Sequence, residues 1–212
     1  DPHVSSRRQR QMCIRDRLRV SDSVKSIAVL VSGTGTLLRS MIDNAQGRYR
    51  IDIVVADQIC PAIQRAKNAG IRTAVVPMET NRNAWNEKLA ATLASVKPDL
   101  VVSAGFMRIL GKPFLEKYEG RTINAHPSLL PSFPGAHAVR DALEYGVKVT
   151  GCTVHYVDSG LDSGEIIAQR AVEVLPDDTT STLHERIKKV EREQIVELLH
   201  NAQVVNGKVL FS

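Results

Sequence analysis

Short runs of β-branched and aliphatic residues alternate with longer amphipathic stretches from residue 26 onward. The first run, Ile27 to Val31, is apolar at every position, which is typical of a strand covered on both faces. After the turn at 32–36, apolar residues recur at helical spacing, namely Leu37, Leu38, Met41 and Ile42. This alternation predicts βαβ units and an α/β fold, an open, mostly parallel twisted sheet with helices on both faces.

The same alternation continues to residue 104. It predicts strands at 51–56, 73–76 and 100–104 and helices at 62–69 and 84–96. Ligands of open α/β sheets bind beyond the carboxyl ends of the strands. The loops after Val31, Ala104 and Asn124 are therefore the first places to look for a site.

The pattern changes between residues 121 and 146. Pro127, Pro131, Pro134 and Gly135 make this segment too irregular for a long helix or strand, and long ordered loops usually carry function. Beyond it, two paired strands are predicted at 150–157 and 165–174, joined by a loop at 158–164. Thr179 is predicted to cap a helix that ends near His200, and Asn206-Gly207 is typical of a hairpin turn.

Length and charge narrow the classes of function. The 212 residues, 43% of them hydrophobic, suffice for one ordinary globular domain. The net charge of +5 comes mostly from six arginines and two aspartates in the first 20 residues, which leave 22 basic and 21 acidic residues elsewhere. We expect residues 1–24 to be a disordered leader or a non-native extension, residues 25–212 to form a single domain, and no nucleic acid to bind.

Cysteine spacing and hydropathy exclude further classes. Cys13, Cys60 and Cys152 are odd in number and far apart, which supports neither a disulfide framework nor a zinc site. No apolar run approaches the roughly 20 residues of a membrane span. We therefore expect a soluble, cytoplasmic protein with no bound metal and no membrane partner, and a homodimer is left open.

A glycine-rich turn, 32–36, joins the first strand to the first helix. Such a turn lets the backbone approach an anion while the helix N-terminus directs unpaired N–H groups at it. The turn lacks the third glycine of a dinucleotide fingerprint and the Gly-Lys-Ser/Thr of a P-loop, which disfavours NAD and nucleoside triphosphates. It could hold a phosphate monoester, or it could be no more than a tight turn.

Asn124 and His126 alternate at the end of a short predicted strand, so both can face the same side. An amide and an imidazole can both donate to an oxyanion that develops on a carbonyl, and the imidazole can move a proton near neutral pH. Asp162 would favour the charged imidazole if the fold brought it beside His126. The simpler interpretation is structural: Asn124 caps a turn, His126 hydrogen-bonds to backbone groups and Asp162 is a turn residue.

Four motifs occur in the order and spacing of a known family. They are Ser32-Gly33-x-Gly35, the stretch Ala104-Gly-Phe-Met-Arg-Ile-Leu110, Asn124-Ala-His126-Pro-Ser-Leu-Leu-Pro131 with Phe133-Pro-Gly135, and Leu161-Asp162-x-Gly164. In these motifs, over residues 25–205, the chain resembles the phosphoribosylglycinamide formyltransferases, folate-dependent enzymes of purine synthesis. The resemblance implies a Rossmann-like formyltransferase fold and 10-formyltetrahydrofolate as co-substrate.

The resemblance also implies a role for individual residues. Asn124 and His126 would bind the formyl oxygen, with His126 as the acid and Asp162 as the group that keeps it charged. The folate would be held by Arg82, Met107, Arg108, Ile109 and Leu110, and by the loop Asp158, Ser159, Gly160, Leu161 and Asp162. The phosphoribosylglycinamide would be held by Gly35, Thr36, Leu37, Lys188 and Glu191. Many members have Gly-Ser-Asn at 35–37, so an asparagine side-chain contact is missing here.

Several of these residues have simpler explanations. Lys188 and Glu191 are three apart on a charged helix and could form a solvated or ion-paired face. Phe106 is expected in the core, His155 is expected to be structural within its strand, and His184 and His200 are expected on a helix surface. His137 could lie just behind the site.

Other functions compete with this assignment. Relatives that hydrolyse the formyl-folate, or that formylate a methionyl-tRNA or a sugar amine, carry additional domains for which 212 residues leave no room. A binding module that uses the basic leader on nucleic acid is the hypothesis from a different class.

Overall fold

The computed structural model describes residues 20–21, 25–205 and 207–211. Its main sheet has seven strands in the order β4-β3-β2-β5-β6-β7-β8. They are β2 (Lys25–Val31), β3 (Tyr49–Ala56), β4 (Arg72–Val75), β5 (Leu100–Ser103), β6 (Thr122–His126), β7 (Val149–Tyr156) and β8 (Ile166–Glu173). The five neighbouring strands β4, β3, β2, β5 and β6 are parallel to one another, whereas β7 is antiparallel to both β6 and β8. The predicted α/β class with a mostly parallel sheet is confirmed.

Six helices lie within the described residues. They are α1 (Thr36–Asp43), α2 (Pro61–Asn68), α3 (Arg82–Ala94), α4 (Lys112–Tyr118), α5 (Ala138–Tyr145) and α6 (Thr180–Asn201). A second, small antiparallel sheet joins β1 (Val20–Ser21), β9 (Gln203–Val205) and β10 (Lys208–Leu210) in the order β1-β9-β10. No helix among the described residues is both long enough and apolar enough to cross a membrane.

Strand β2 is apolar from Ile27 to Val31 because helices cover both faces of the sheet. Ile27, Val29 and Val31 pack into one buried cluster with residues of α1, α2 and α6. Ala28 and Leu30, which point the other way, pack into a second cluster with residues of α3 and α4. Both faces of the sheet are therefore covered by helices, as parallel sheets require.

Two helices were not predicted. Helix α4 has only seven residues, and α5 lies inside the segment 121–146 that we expected to be irregular. In α5 the buried residues Ala138, Val139 and Ala142 are spaced as in a helix, but eight residues after four turn-forming residues give too short a pattern to recognise. The segment contains no long helix or strand, as predicted, but its short helix α5 was not foreseen.

The C-terminal half otherwise follows the predictions. Helix α6 begins after Thr179, whose hydroxyl accepts a hydrogen bond from the Thr182 N–H in a capping box. Strands β7 and β8 pair as expected, and so do β9 and β10, although Asn206 of their turn lies outside the described residues. Val20–Ser21, within the predicted leader, pairs with β9; the rest of 1–24 lies outside the described residues.

Candidate active site

Asn124 and His126 occupy alternate positions at the carboxyl end of β6. Their neighbours Ile123 and Ala125 point into the buried cluster beneath α1, α2 and α6. Because side chains alternate across a strand, Asn124 and His126 face the opposite side, as the sequence predicted. The antiparallel register places Asn124 opposite His155 and His126 opposite Thr153 of β7.

Both ring nitrogens of His126 face oxygen atoms. Nε2 lies 2.9 Å from the carbonyl oxygen of Phe133 and Nδ1 lies 3.4 Å from Asp162 Oδ2. A carbonyl oxygen can only accept, so Nε2 donates to it, and Nδ1 faces the carboxylate. The predicted meeting of Asp162 with His126 is thus present, and it joins residues 36 positions apart in the chain.

Asp162 is held at the centre of this cluster. It adopts a left-handed backbone conformation with a φ of 51°, unusual for a residue with a side chain, and its Oδ2 accepts from the Gly135 N–H at 2.8 Å. The His155 ring, the Gly135 N–H and the charge of His126 lower the pKa of the Asp162 carboxyl, although burial opposes them. The carboxylate is therefore ionised at neutral pH.

His155 is a member of the site that the sequence interpretation treated as structural. Its Nδ1 lies 2.8 Å from the Tyr156 carbonyl oxygen and therefore donates. Its Nε2 lies 3.3 Å from Asn124 Nδ2 and 3.7 Å from Asp162 Oδ1. A neutral ring accepts from Asn124, whereas a charged ring donates toward Asp162. The expectation for His155 missed this contact, because only the register of β6 against β7 reveals it.

The glycine-rich turn has the form of an anion site. Gly35 precedes α1 with a φ of 71°, and no side chain caps the helix. The first-turn N–H groups of Thr36 and Leu37 thus keep no intrahelical partner. The side chain of Leu37 is buried in the core, so this residue can offer a ligand only its backbone.

Lys188 and Glu191 lie on α6, which packs against α1. The Lys188 ammonium pairs with Glu185 at 2.9 Å and not with Glu191. Burial raises the pKa of Glu191 to about 7, although Lys188 and Arg192 act in the opposite direction. Glu191 therefore exchanges a proton near neutral pH.

The segment after β5 is anchored to two neighbouring strand ends. The Met107 N–H donates to Ser32 Oγ at 2.9 Å, and Arg108 Nε donates to Asp57 Oδ2 at 2.6 Å. An Nη of Arg82 donates to the Ile109 carbonyl oxygen, and its guanidinium lies over the Trp85 ring. Met107 and Ile109 expose their side chains, whereas Leu110 is buried beside Phe106 and can offer a folate only its backbone.

The loop between β7 and β8 is fixed by its own residues. Asp158 Oδ1 accepts from the Gly160 N–H and from the Ser163 hydroxyl. Ser159 and Leu161 are exposed. Val157, just before the loop, packs against the cluster that contains Phe106 and Leu110. The two segments assigned to folate by resemblance are therefore joined through one apolar cluster.

The remaining histidines lie elsewhere. His137 is exposed at the start of α5. His200 is half-buried, with Nε2 2.7 Å from the Asn44 carbonyl oxygen, and His184 is half-buried with its pKa lowered by burial. Both residues lie on helix α6, as expected, and are partly rather than fully exposed. In the part of the chain that the structure describes, no group of three or more histidine, cysteine or acidic side chains is arranged to hold a metal ion.

The sequence profile of one family, described as Formyl transferase, matches residues 25–199. The chain belongs to the formyl transferase family. The match extends from the start of β2 to Leu199, near the end of α6, and so includes every candidate site residue described above.

Named relatives and solved structures agree with this family. The chain is 51% identical over 188 residues to a phosphoribosylglycinamide formyltransferase of Mycobacterium tuberculosis (strain CDC 1551 / Oshkosh), covering 86% of this chain and 87% of that protein. It is 45% identical over 171 residues to the human trifunctional purine biosynthetic protein adenosine-3, covering 78% of this chain and 17% of that protein. The glycinamide ribonucleotide transformylase 1 structure from Symbiobacterium toebii superposes with a TM-score of 0.81 at 37% identity, covering 89% and 94% of the two chains.

Proposed function

We propose that this formyl transferase moves the formyl group of 10-formyltetrahydrofolate to the amine of 5-phosphoribosylglycinamide in purine synthesis. The observation that carries the proposal is the cluster of Asn124, His126, His155 and Asp162 at the carboxyl end of β6. It combines hydrogen-bond donors for an oxyanion with a partly buried carboxylate. These are the groups that acyl transfer to an amine requires.

The reaction needs no covalent enzyme intermediate. The substrate amine attacks the formyl carbon, a C–N bond forms and the carbonyl oxygen becomes an oxyanion. When the intermediate collapses, the bond to the folate nitrogen breaks. The amine loses one proton and the folate nitrogen gains one, so the enzyme has only to relay a proton.

Asn124 and His126 donate to the oxyanion. The Asn124 amide carries two N–H bonds, and one of them remains for the formyl oxygen when the other donates to His155. The 3.4 Å between His126 Nδ1 and Asp162 is longer than an ordinary charge-assisted hydrogen bond, so this N–H can also reach an oxygen placed beside the carboxylate. Asp162 faces His126 Nδ1 and, through a water, takes the proton from the amine.

Binding of the two substrates follows from the neighbouring segments. The free N–H groups at the start of α1, after Gly35, would hold the phosphate with help from Lys188, and Glu191 would bind the glycinamide or ribose. Residues 107–110, Arg82 and the loop 158–162 would hold the folate. The anionic tail of the folate suits the two exposed guanidinium groups of Arg82 and Arg108.

Two related reactions use the same chemistry, hydrolysis of the formyl-folate and formylation of another amine. The anion-binding turn before α1 favours a phosphorylated amine over both. We also propose a cytoplasmic location, since the named relatives act in purine synthesis.

The test is the absorbance change on deformylation of 10-formyltetrahydrofolate, with and without the ribonucleotide. We expect turnover that requires the ribonucleotide and a loss of kcat on the order of a hundredfold in Asn124→Ala, because one oxyanion donor is removed. Asn68→Ala, exposed on α2 and bonded to Gln64 of its own helix, is the control. Folate consumption without the ribonucleotide would identify a hydrolase instead, and no consumption at all would reject the proposal.

A further inference from the structure

Asp57 is a buried carboxylate that the proposed chemistry does not use. It follows β3 directly, and its side chain is 0% exposed. Carboxylates are rarely buried so completely unless they are paired. Its partner is Arg108, whose Nε lies 2.6 Å from Oδ2 while its side chain remains 37% exposed. One end of this ion pair is therefore enclosed and the other faces solvent.

The pair bridges two separated strands. Asp57 follows β3 and Arg108 follows β5, with β2 between them in the sheet. Two strand spacings amount to roughly 10 Å, so Arg108 must extend across the end of β2 to reach Asp57. The Met107 N–H is held by Ser32, at the end of β2 itself, and Gln58 Nε2 donates to the Ser32 carbonyl oxygen. The backbone before Arg108 and the root of its guanidinium are thus both fixed.

The contact with Asp57 uses only Nε of the Arg108 guanidinium. Among the described residues, Nε makes the only hydrogen bond of the Arg108 side chain, so both terminal nitrogens are without a protein partner. Asp57 Oδ1 is likewise buried without a hydrogen-bond partner among these residues. A carboxylate and an arginine pair with two parallel hydrogen bonds when nothing else competes. Here only one is made, and neither terminal nitrogen hydrogen-bonds to Asp57.

We propose that Asp57 is a positioning residue, which holds Arg108 through Nε so that its terminal nitrogens meet a carboxylate of the folate glutamate. The inference rests on the proposed function, which places residues 107–110 against the folate. Carboxylates are the anionic groups of that co-substrate, and a guanidinium fixed in advance loses little side-chain entropy on binding them. Asp57 acts through Arg108 and touches no reacting atom.

The test compares two co-substrates in the full-length enzyme, 10-formyltetrahydrofolate and 10-formyltetrahydropteroate in the form of its neutral carboxamide, which lacks the glutamate and has no carboxylate. We expect Asp57→Asn to raise KM about tenfold for the folate, with kcat and the KM for the ribonucleotide within about twofold of wild type. The pteroate compound should show less than a twofold change in KM. Asp43→Asn is the matched control, because Asp43 makes the same 2.6 Å contact with Arg39 Nε in an exposed pair.

A double variant separates positioning from folding. In an Arg108→Ala background, Asp57→Asn should leave the folate KM unchanged, since there is no guanidinium left to orient, and should restore part of the thermal stability lost with the arginine. Equal effects of Asp57→Asn on the folate and pteroate compounds, additive effects of the two variants, or a rise in the ribonucleotide KM would overturn the inference. A wild-type enzyme that transfers no formyl group would instead refute the proposed function.

Discussion

Glu191 lies on α6 over β7, where neighbouring protein replaces much of the water around its carboxyl group. It is close enough to Cys152 of β7 for its charge to raise the pKa of that thiol, to which burial contributes more. Burial also raises the pKa of Glu191 from 4.5 to about 7, against the opposing charges of Lys188 and Arg192. The charge of Glu191, in the proposed substrate site, therefore changes with pH near neutrality.

The pH dependence of stability has a defined sign at this residue. Because the folded protein binds the Glu191 proton more tightly than the unfolded chain, wild type should lose stability relative to Glu191→Gln as pH rises from about 4.5 to about 7. The difference should reach about 3 kcal/mol, because the pKa rises from 4.5 to about 7, and it should stay constant above pH 7. Urea unfolding at several pH values measures it, with Glu87→Gln, exposed on α3, as control. Parallel stability curves for wild type and Glu191→Gln would refute the shift.

At the level of elements, the close approach of two helices shapes the turn proposed to bind phosphate. A side-chain carbon at Gly35 would lie 2.6 Å from Ala62 Cβ and 2.9 Å from its Cα, at the start of α2. The Ala62 N–H donates to the Gly33 carbonyl oxygen, and Arg65 donates to that of Thr34. Helix α2 therefore fixes the turn from behind, and glycine at position 35 satisfies both the contact and the positive φ.

Gly35→Ala should therefore disturb this turn strongly. The added carbon must push α2 away or change the backbone, so we expect a loss of about 2 kcal/mol in unfolding free energy and at least a tenfold rise in the KM for the ribonucleotide. Gly33→Ala is the matched control, since nothing lies within 4 Å of its added carbon. Thermal unfolding and steady-state kinetics test both variants. Equal effects of the two substitutions would show that the contact with Ala62 does not matter.

For the molecule as a whole, the strand order gathers distant residues on one edge. The segments that follow β2, β3 and β5 supply Ser32, Asp57 and residues 104–110, and the end of β6 supplies Asn124 and His126. The antiparallel return of β7 adds His155 and the loop with Asp162. Both proposed substrate sites therefore depend on a single sheet and its two helical layers.

The basic N-terminal residues lie outside the part of the chain that the structure describes. We expect deletion of residues 1–19, which keeps Val20–Ser21 and its pairing with β9, to leave kcat/KM within about twofold of wild type. It should also leave a negligible affinity for nucleic acid unchanged, because the remaining residues are close to neutral. Formyl-transfer kinetics and a titration with double-stranded DNA at low salt test this. A tight, salt-sensitive complex that the deletion abolishes would favour the binding-module hypothesis.

The sequence by itself determined the strand and helix alternation, the cap at Thr179, the shared face of Asn124 and His126, and the motifs of the family. These features are local, because apolar spacing, turn chemistry and capping act over a few residues. It gave no indication of the short helices α4 and α5, whose patterns are too brief to recognise.

Only the tertiary structure decided which distant residues meet. His155 joins the site through the register of β6 against β7, and Asp57 reaches Arg108 across β2. The side chains of Leu37 and Leu110 turn into the core, which leaves only their backbones for ligands. Such contacts depend on strand order and on packing between layers, and these are set by the free energy of the whole core rather than by any short segment.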